Sequence, residues 1–562
     1  MPRSHHSLTS TCPTPNNPAQ QSLSDTTTRH TWRERRAFEY YFRHFSLVIA
    51  GFPLDNRFWH GIVLQLCRSE PAVWDAIIAV SALYESPDHP VEGVGAAMVR
   101  PAMTKSVARH HREPMGWYFR SMAGMKDRIG RNRASAFLCL VTCVLYLCLE
   151  NMQGHAVEAL QLFEQGVRLL ELVLVKGNGG MLRKGSYERT VVEEVVGPIF
   201  GRLGVSALVS TGYPCPVQDW WDRKDVLCVR SMEELRDTMV SLNAEAIILA
   251  KAAYGYFHAG MEEKPEHLQA LFAQQHALGM KLQGWRTVFT TLQDKHPQTN
   301  PTDTTASVLL TFHIAASIMV STCLSQRQLP FDNHIDQFRD LIEHARTVLL
   351  SPTSHVLPGS RLPFTFETGP GLPLYYAAVK CRDASLRREA LSLLKQAAQV
   401  QAFFNCSSWI RLAEMAIQLE EGDVKGLQLK IQTQSYTGPI DPAVALIHES
   451  HKYQEWLVFG KLDHKQPVVH EVARIAGINA ERFFMILQEP ESRRIPEEQR
   501  LNDIGVTTAY RFQGDALNKY GAGIEHLLQH KTCEEVFVQF TRSRLDPTSG
   551  EWEQDRFFLS AD

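Results

Sequence analysis

One long apolar run limits the folds that this chain can adopt. Residues 134–149 are sixteen positions of almost wholly apolar side chains. A transmembrane helix needs about 20 apolar residues, so the run is about four residues too short to span a bilayer. A helix that is apolar on every side is buried inside a protein. The run therefore predicts a central buried helix and no membrane span.

The rest of the chain shows helical periodicity on both sides of this run. Apolar residues recur three and four positions apart in two clear sets: Phe38, Tyr41, Phe42 and Phe45, and Leu160, Phe163, Val167 and Leu170. Ser231 and Glu234 form a capping box, which predicts a helix that runs towards Gly260. Another helix is predicted at about 307–324. The fold class predicted is mainly α, a large multi-helix body.

The end of the chain changes character. Val536, Val538 and Phe540 lie on one face of an extended run, a turn follows at 546–550, and 556–559 completes a β-hairpin. This predicts a small C-terminal mixed α/β appendix. We divide the chain into a polar N-terminal tail at 1–31, which is predicted to be disordered, a helical body at 32–435, and a helical segment with the hairpin at 436–562.

Charge and cysteine content exclude some classes of protein. The 58 Lys and Arg residues nearly balance the 61 Asp and Glu residues, whereas a protein that tracks phosphates over its whole surface is clearly basic. The eleven cysteines are dispersed, and most lie in apolar runs. This pattern predicts reduced thiols in the nucleus or cytoplasm and not a disulfide framework.

Motifs of catalysis are missing or incomplete. The sequence has no phosphate-binding loop and no Gly-x-Ser-x-Gly elbow. Gly521 and Gly523 begin a dinucleotide loop, but His526 occupies the place of its third glycine. His448 and His451 are three positions apart, whereas the zinc-protease helix needs four. We predict no catalytic residues, no cofactor, no metal and no enzyme activity.

Several single residues have both a functional and a structural interpretation. Cys139 and Cys143 lie one helical turn apart, but no His, Asp or Glu is near enough in sequence to complete a metal shell, so buried thiols are expected. Glu85, Glu150 and Arg382 resemble site residues, yet paired polar groups at helix ends are the preferred interpretation. The Phe58-Trp59 pair is expected to anchor the core.

One DNA-binding pattern occurs, at 472–486. Its small residue, glycine and apolar offsets match a helix-turn-helix. The second helix would present Asn479 and Arg482 as the DNA-binding residues, beside Glu481 and the aromatic Phe484. An acid and an exposed aromatic make a poor reader of the major groove, so an ordinary helical hairpin is favoured.

An ordered set of segments resembles the fungal-specific transcription factor domain, the helical middle region of fungal zinc-cluster regulators. The resemblance covers about 35 to the C-terminus and rests on five groups of segments: RRAFEYYF (35–42) with GF (51–52), FW (58–59), VLQL (63–66), SEPAV (69–73) and AIIAVSALYE (76–85); CVLYLCLE (143–150) with QG (153–154) and AL (159–160); FDNH (331–334); PLYYAA (373–378) with KCRD (380–383) and RR (387–388); and RRIPEEQR (493–500).

The resemblance implies a transcription regulator of the nucleus, which could control a biosynthetic gene cluster and form a homo- or heterodimer. Such regulators begin with six cysteines that hold two zinc ions, but only Cys12 precedes residue 60 here. Direct DNA binding is therefore not expected, unless an upstream exon supplies the zinc cluster. Its partners would be the transcription machinery or a DNA-binding regulator. The alternative is a non-DNA-binding adaptor or metabolite-binding protein, nuclear or cytoplasmic.

Overall fold

A computed structural model of the chain shows helices over most of the residues that it describes. These residues are 31–45, 56–85, 112–174, 182–183, 185–211, 229–258, 265–295, 304–325, 327–350, 362–366, 368–421, 431–433, 500–508, 536–545 and 552–560. The predicted fold class, mainly α with a small strand appendix, is confirmed.

The first half of the chain forms most of the first hydrophobic core, around the apolar run, and Phe364, Phe366, Ala402 and Phe403 complete it. Its helices are α1 (Trp32–Tyr40), α2 (Val63–Leu66), α3 (Pro71–Glu85), α4 (Arg112–Gly130), α5 (Ala136–Met152), α6 (Ala156–Leu174), α7 (Tyr187–Val191) and α8 (Gly197–Thr211). Wider π-helical turns cover Tyr41–Phe45, Arg57–Ile62 and Val192–Val196.

Helix α5 is the buried helix that the apolar run predicts. Ser135 caps its start, because the Ser135 hydroxyl accepts a hydrogen bond from the Leu138 amide at 3.1 Å. Every residue of α5 is buried except Cys139 and Cys143, which are partly exposed. The prediction of a central helix surrounded by others is confirmed.

Helix α1 begins with a capping box that sequence inspection missed, and the turn after its end contradicts the predicted burial of Phe42. Thr31 caps the helix: its hydroxyl accepts from the Glu34 amide, and the Glu34 carboxylate accepts from the Thr31 amide at 2.8 Å. Tyr41 and Phe45 are buried, but Phe42 is 54% exposed. The chain leaves α-helical geometry for a π-helical turn at Tyr41–Phe45, and its different period turns Phe42 away from the predicted face.

The second core is built by three long helices, α9 (Met232–His258), α10 (Pro265–Lys295) and α11 (Thr305–Thr322). The Ser231 hydroxyl accepts from the Glu234 amide at 3.1 Å as predicted, but the Glu234 carboxylate accepts from Arg230 instead of closing the box on Ser231. By length and composition α11 could cross a membrane, and 67% of it is buried within the protein. Sequence inspection had considered only 134–149 for this property.

The third core follows a 3₁₀ turn at Leu329–His334. Its helices are α12 (Ile335–Leu349), α13 (Gly371–Lys380), α14 (Ala384–Gln396) and α15 (Cys406–Glu421). Three two-residue strands, β1 (Phe364–Thr365), β2 (Val400–Gln401) and β3 (Phe404–Asn405), form a small sheet in the order β1-β2-β3.

A second sheet contains four strands in the order β4-β7-β6-β5. They are β4 (Ile431–Thr433), β5 (Leu501–Thr508), β6 (Val536–Leu545) and β7 (Trp552–Ser560), and all neighbours are antiparallel. The pair β6–β7, with Phe540 opposite Phe557, confirms the predicted hairpin. Strand β4 lies before residue 435, the predicted end of the helical body, and pairs with β7, which lies beyond it.

Candidate functional site

The short connection between α13 and α14 places the charged side chain of Arg382 in the protein interior. Helix α13 ends at Lys380, and Cys381 is extended. Asp383 then caps α14 by accepting from the amides of Ser385 and Leu386. The residue between them, Arg382, is only 1% exposed. A buried guanidinium requires partners, and those of Arg382 are Glu420, Leu501 and Gln328, from three other parts of the chain.

Glu420 on α15 is the first partner, and it binds two arginines at once. Its carboxylate accepts from Arg382 at 2.9 Å and from Arg387 of α14 at 2.6 Å. Arg387 also donates to the Ala378 carbonyl at 3.1 Å. All three charged side chains are fully buried. This one carboxylate therefore ties α14 and α15 to the α13–α14 connection.

The start of strand β5 docks on the same carboxylate. The Leu501 amide donates to Glu420 Oε1 at 2.7 Å, and the Leu501 carbonyl accepts from Arg382 at 3.1 Å. Leu501 is 81 positions from Glu420 and 119 from Arg382 in the sequence. These contacts hold β5, the first described strand after residue 435, to the third core.

Arg500, the residue before β5, completes the attachment. Its guanidinium makes two hydrogen bonds of 2.8 Å to the Asp332 carboxylate and a third, of 3.2 Å, to the Gln328 carbonyl. Arg500 is 1% exposed. Lys380 donates to the Gln328 side chain at 2.9 Å and to the Asn502 carbonyl at 2.6 Å. Paired hydrogen bonds of this kind fix both position and orientation.

We call the set formed by Arg382, Arg387, Arg500, Glu420 and Asp332 the arginine cluster. Burial by itself would raise the pKa of Glu420, but the charges of Arg382 and Arg387 outweigh it and hold that pKa below its ordinary value. Glu420 is therefore ionised at neutral pH and a weak proton acceptor. The members of the cluster pair with one another and with backbone carbonyls, which is the chemistry of a positioning device.

The arginine cluster brings together three of the groups of segments that carry the family resemblance. Asp332 belongs to FDNH (331–334), Arg382 and Arg387 to the group at 373–388, and Arg500 ends RRIPEEQR (493–500). Arg500 and Asp332 are 168 positions apart in sequence. The resemblance did not include Glu420. It could have been noticed as a carboxylate on the apolar face of α15, in register with Ile410, Ala413 and Ile417.

The other polar candidates are paired, as the structural interpretation expects. Glu85 forms an ion pair with Arg36. The Glu150 carboxylate accepts from the Tyr118 hydroxyl at 2.5 Å and contacts His155 Nδ1 at 2.7 Å. Among the residues that the structure describes, neither carboxylate belongs to a group that could hold a metal ion.

The candidate core residues also occupy structural positions. Phe58 and Trp59 are fully buried and contact each other edge to face. Burial raises the pKa of the Cys143 thiol to about 12, so this thiol is protonated and inert at neutral pH. Among the described residues, no group of three or more His, Cys, Asp or Glu side chains is placed to hold a metal ion. The DNA-reading candidates Asn479 and Arg482, with the motifs at 448–451 and 521–523, lie outside the described residues.

A separate cavity of about 40 Å³ lies between α8, α9 and α11. Arg202 of α8 and Arg236 of α9 line it together with Asn243, Thr305 and the aromatic ring of Phe312. Both arginines are buried, at 5% and 8% exposure. Sequence inspection did not single out either residue.

Comparisons with known proteins leave the chain without a matched relative: no family model, no curated protein and no solved structure matches it.

Proposed function

We propose that the chain is a transcription regulator that acts from the nucleus through protein partners. The observation that carries the proposal is the convergence of the resembling segments. Residues from 331–334, 373–388 and 493–500 are scattered along the sequence, yet they meet in the arginine cluster. Segments that share a buried network are under a common structural constraint, which supports treating them as parts of one regulatory domain and not as chance similarities.

The N-terminal segments support the same view, because they also contact one another. The Tyr41 hydroxyl donates to the Trp59 carbonyl at 2.9 Å. The Ser81 hydroxyl donates to the Ala37 carbonyl at 2.6 Å. Segments 35–42, 58–59 and 76–85 therefore build one face of the first core.

The expected route to DNA is a partner that binds DNA itself. The near balance of 58 basic and 61 acidic residues provides few phosphate contacts, and phosphate contacts supply most non-specific affinity. The partner could be a DNA-binding regulator, as a heterodimer, or a component of the transcription machinery. A homodimer would be a further form of the same regulatory body.

A tethered reporter tests the regulatory part of the proposal. The full chain is fused to a heterologous DNA-binding domain, and expression is measured from a promoter that carries its sites. A change in either direction, relative to the DNA-binding domain alone, is expected. Leu145→Asp in the core should abolish the change, while Leu172→Asp, at a position 56% exposed, should preserve it. A well-expressed fusion without effect would contradict the proposal.

A direct titration tests the need for a partner. Fluorescence anisotropy with duplex DNA near about 150 mM salt, where loose attraction is screened, should show weak binding without sequence preference. The double variant Asn479→Ala and Arg482→Ala should behave like the parent. Sub-micromolar, sequence-selective binding that this double variant abolishes would instead establish the segment at 472–486 as a recognition element.

The alternative function is a non-DNA-binding adaptor or metabolite-binding protein descended from such a regulator. The cavity between α8, α9 and α11 favours this alternative, because sites for small ligands are concave and mostly apolar. A silent tethered reporter combined with saturable binding of a small ligand would select it over the regulator.

A further inference from the structure

We infer that Ser186 is a phosphorylation site for an arginine-directed Ser/Thr protein kinase. The inference is independent of the transcriptional proposal, because it rests only on one surface turn and the residues beside it. Arg183 stands three positions before Ser186, and Lys184 and Gly185 lie between them. Kinases of this class hold a basic residue at that position with acidic side chains, because opposite charges select and orient the substrate.

The fold distinguishes Ser186 from the other serines with the same spacing. An arginine stands three positions before a serine or threonine three times in the chain, at Ser46, Ser186 and Ser385. Ser46 lies outside the described residues. Ser385 is exposed, but its Arg382 is only 1% exposed and belongs to the arginine cluster. Of the two described serines, only Ser186 therefore has an arginine that a kinase can reach.

The charge of Arg183 is available to a partner. Its side chain is exposed and forms no ion pair with any residue that the structure describes. On the other side of Ser186, the ring of Tyr187 is 61% exposed. A kinase can therefore approach the turn from solvent and contact the residues on both sides of the Ser186 hydroxyl.

The local backbone allows the segment to enter the cleft of a kinase. The Ser186 amide donates to the Arg183 carbonyl at 3.0 Å, which closes a tight turn just before α7. Gly185 takes the left-handed φ of 80° that this turn requires, a conformation that glycine adopts without strain. A surface turn closed by a backbone hydrogen bond opens at low cost, so the segment can become extended while the helical body stays folded.

The phosphoryl transfer uses ATP as the co-substrate. The Ser186 Oγ atom attacks the γ-phosphorus, the bond from that phosphorus to the β,γ-bridging oxygen breaks, and ADP leaves. The hydroxyl proton passes to the catalytic carboxylate of the kinase. In the structure Ser186 Oγ accepts a hydrogen bond from the Arg189 amide at 3.3 Å. A phosphate oxygen can accept the same hydrogen bond, so the modified chain keeps its fold.

Incubation of the full chain with ATP and the catalytic subunit of cyclic AMP-dependent protein kinase, an arginine-directed enzyme, tests the inference. Mass spectrometry of the digested product should find phosphate at Ser186, and Ser186→Ala should remove it. Arg183→Gln should slow phosphorylation of Ser186 by roughly tenfold or more, since it removes a charged hydrogen bond to the kinase. Arg168→Gln, at an exposed position of α6, is the control and should be phosphorylated like the parent.

Ser385 provides an internal control in the same reaction. It should be phosphorylated at least roughly tenfold more slowly than Ser186, because Arg382 stays buried and cannot contact the kinase. Circular dichroism of each protein checks that the chain is folded, and Arg183→Gln should fold because Arg183 is exposed. Three results would overturn the inference: no phosphate at Ser186 in the folded chain, an equal rate in Arg183→Gln, or phosphorylation of Ser385 as fast as that of Ser186.

Discussion

Helix α5 and the arginine cluster are both buried, but they are held by opposite kinds of interaction. The α5 helix is surrounded by apolar side chains, and its whole length except Cys139 and Cys143 is excluded from solvent. In the cluster, Arg382, Arg387 and Glu420 are equally buried, but they carry charge. Apolar packing is non-directional and tolerates many neighbours, whereas a buried ion pair requires one particular neighbour.

The difference suggests separate roles for the two regions. Removal of apolar surface from water provides the driving force for folding of the first core. Burial of the cluster costs several kcal/mol per ion in lost hydration, and the attraction between its charges offsets about the same free energy. The cluster is therefore expected to add little net stability and to determine which segments pack together. The segment that it selects is the start of β5, at Arg500 and Leu501.

The largest effect is expected in the apolar core. Leu145→Asp places a charge without a partner at a fully buried position of α5. It should lower the free energy of unfolding by at least about 5 kcal/mol, which is enough to unfold the body. Leu172→Asp on α6, at a position 56% exposed, should leave the melting temperature almost unchanged. Circular dichroism melts of both variants decide the point. Equal melting of Leu145→Asp and the parent would mean that α5 is not central.

A smaller but still large effect is expected for Glu420→Gln. The change preserves shape but leaves Arg382 and Arg387 buried without their shared carboxylate, at a cost of about 3–5 kcal/mol. The control on the same helix is Glu414→Gln, which removes a partly exposed pair with Lys395 and should cost less than about 1 kcal/mol. Urea unfolding of both variants measures the difference, and similar midpoints would remove the cluster from this account.

The pH dependence of stability, compared between the parent and Glu420→Gln, gives a second test of the cluster. The pKa of Glu420 is lowered on folding from its ordinary 4.5, so its contribution is complete above pH 4.5 and disappears as the pH falls through the folded value. The stability gap between parent and Glu420→Gln should therefore be constant near neutral pH and shrink in acid. A gap that persists unchanged would contradict an ionised Glu420.

An intermediate effect is expected where β5 is attached. Arg500→Lys keeps the charge, but a lysine cannot reproduce the paired hydrogen bonds to Asp332, so a loss of about 1–3 kcal/mol is expected. Arg339→Lys alters an exposed pair with Asp336 and should change stability by less than about 0.5 kcal/mol. If lysine replaces Arg500 at no cost, the orientation of the pair is unimportant.

The smallest effect is expected for His313 of α11, which belongs to neither region. It provides a reference for how stability depends on pH outside them. Burial lowers its pKa from 6.5 to about 4, and its Nε2 atom donates to the Leu282 carbonyl at 3.1 Å. Between these pH values the unfolded chain binds a proton that the folded protein does not. The free energy of unfolding of the parent should therefore fall by about 1.4 kcal/mol more than that of His313→Gln between pH 7.5 and 5.5. Identical pH profiles would contradict the burial of His313.

The features that sequence predicted are local ones. The run at 134–149 became α5, the capping residue Ser231 lies just before α9, and alternating residues at 536–540 became β6. Each prediction depended on residues within a few positions of one another. The error at Phe42 arose because a π-helical turn changed the period that local inspection had assumed.

The features that sequence missed depend on the tertiary fold. No local pattern connects Arg500 to Asp332 across 168 positions, or places Arg202 and Arg236 at one cavity. Arg382 was interpreted as a paired polar group, and it is paired, but its partner Glu420 lies on another helix. A charged residue on an apolar helix face indicates that a partner exists and does not identify it.

The most direct test of the central claim, that the arginine cluster holds β5 to the helical body, is amide hydrogen exchange at Leu501 in the full-length protein. The Leu501 amide donates to Glu420 Oε1 at 2.7 Å, and Leu501 is 3% exposed. Its exchange at neutral pH should be as slow as that of amides within α13 and α15, because all of them open together. Exchange at the rate of an unfolded chain, while those helices remain protected, would contradict the claim.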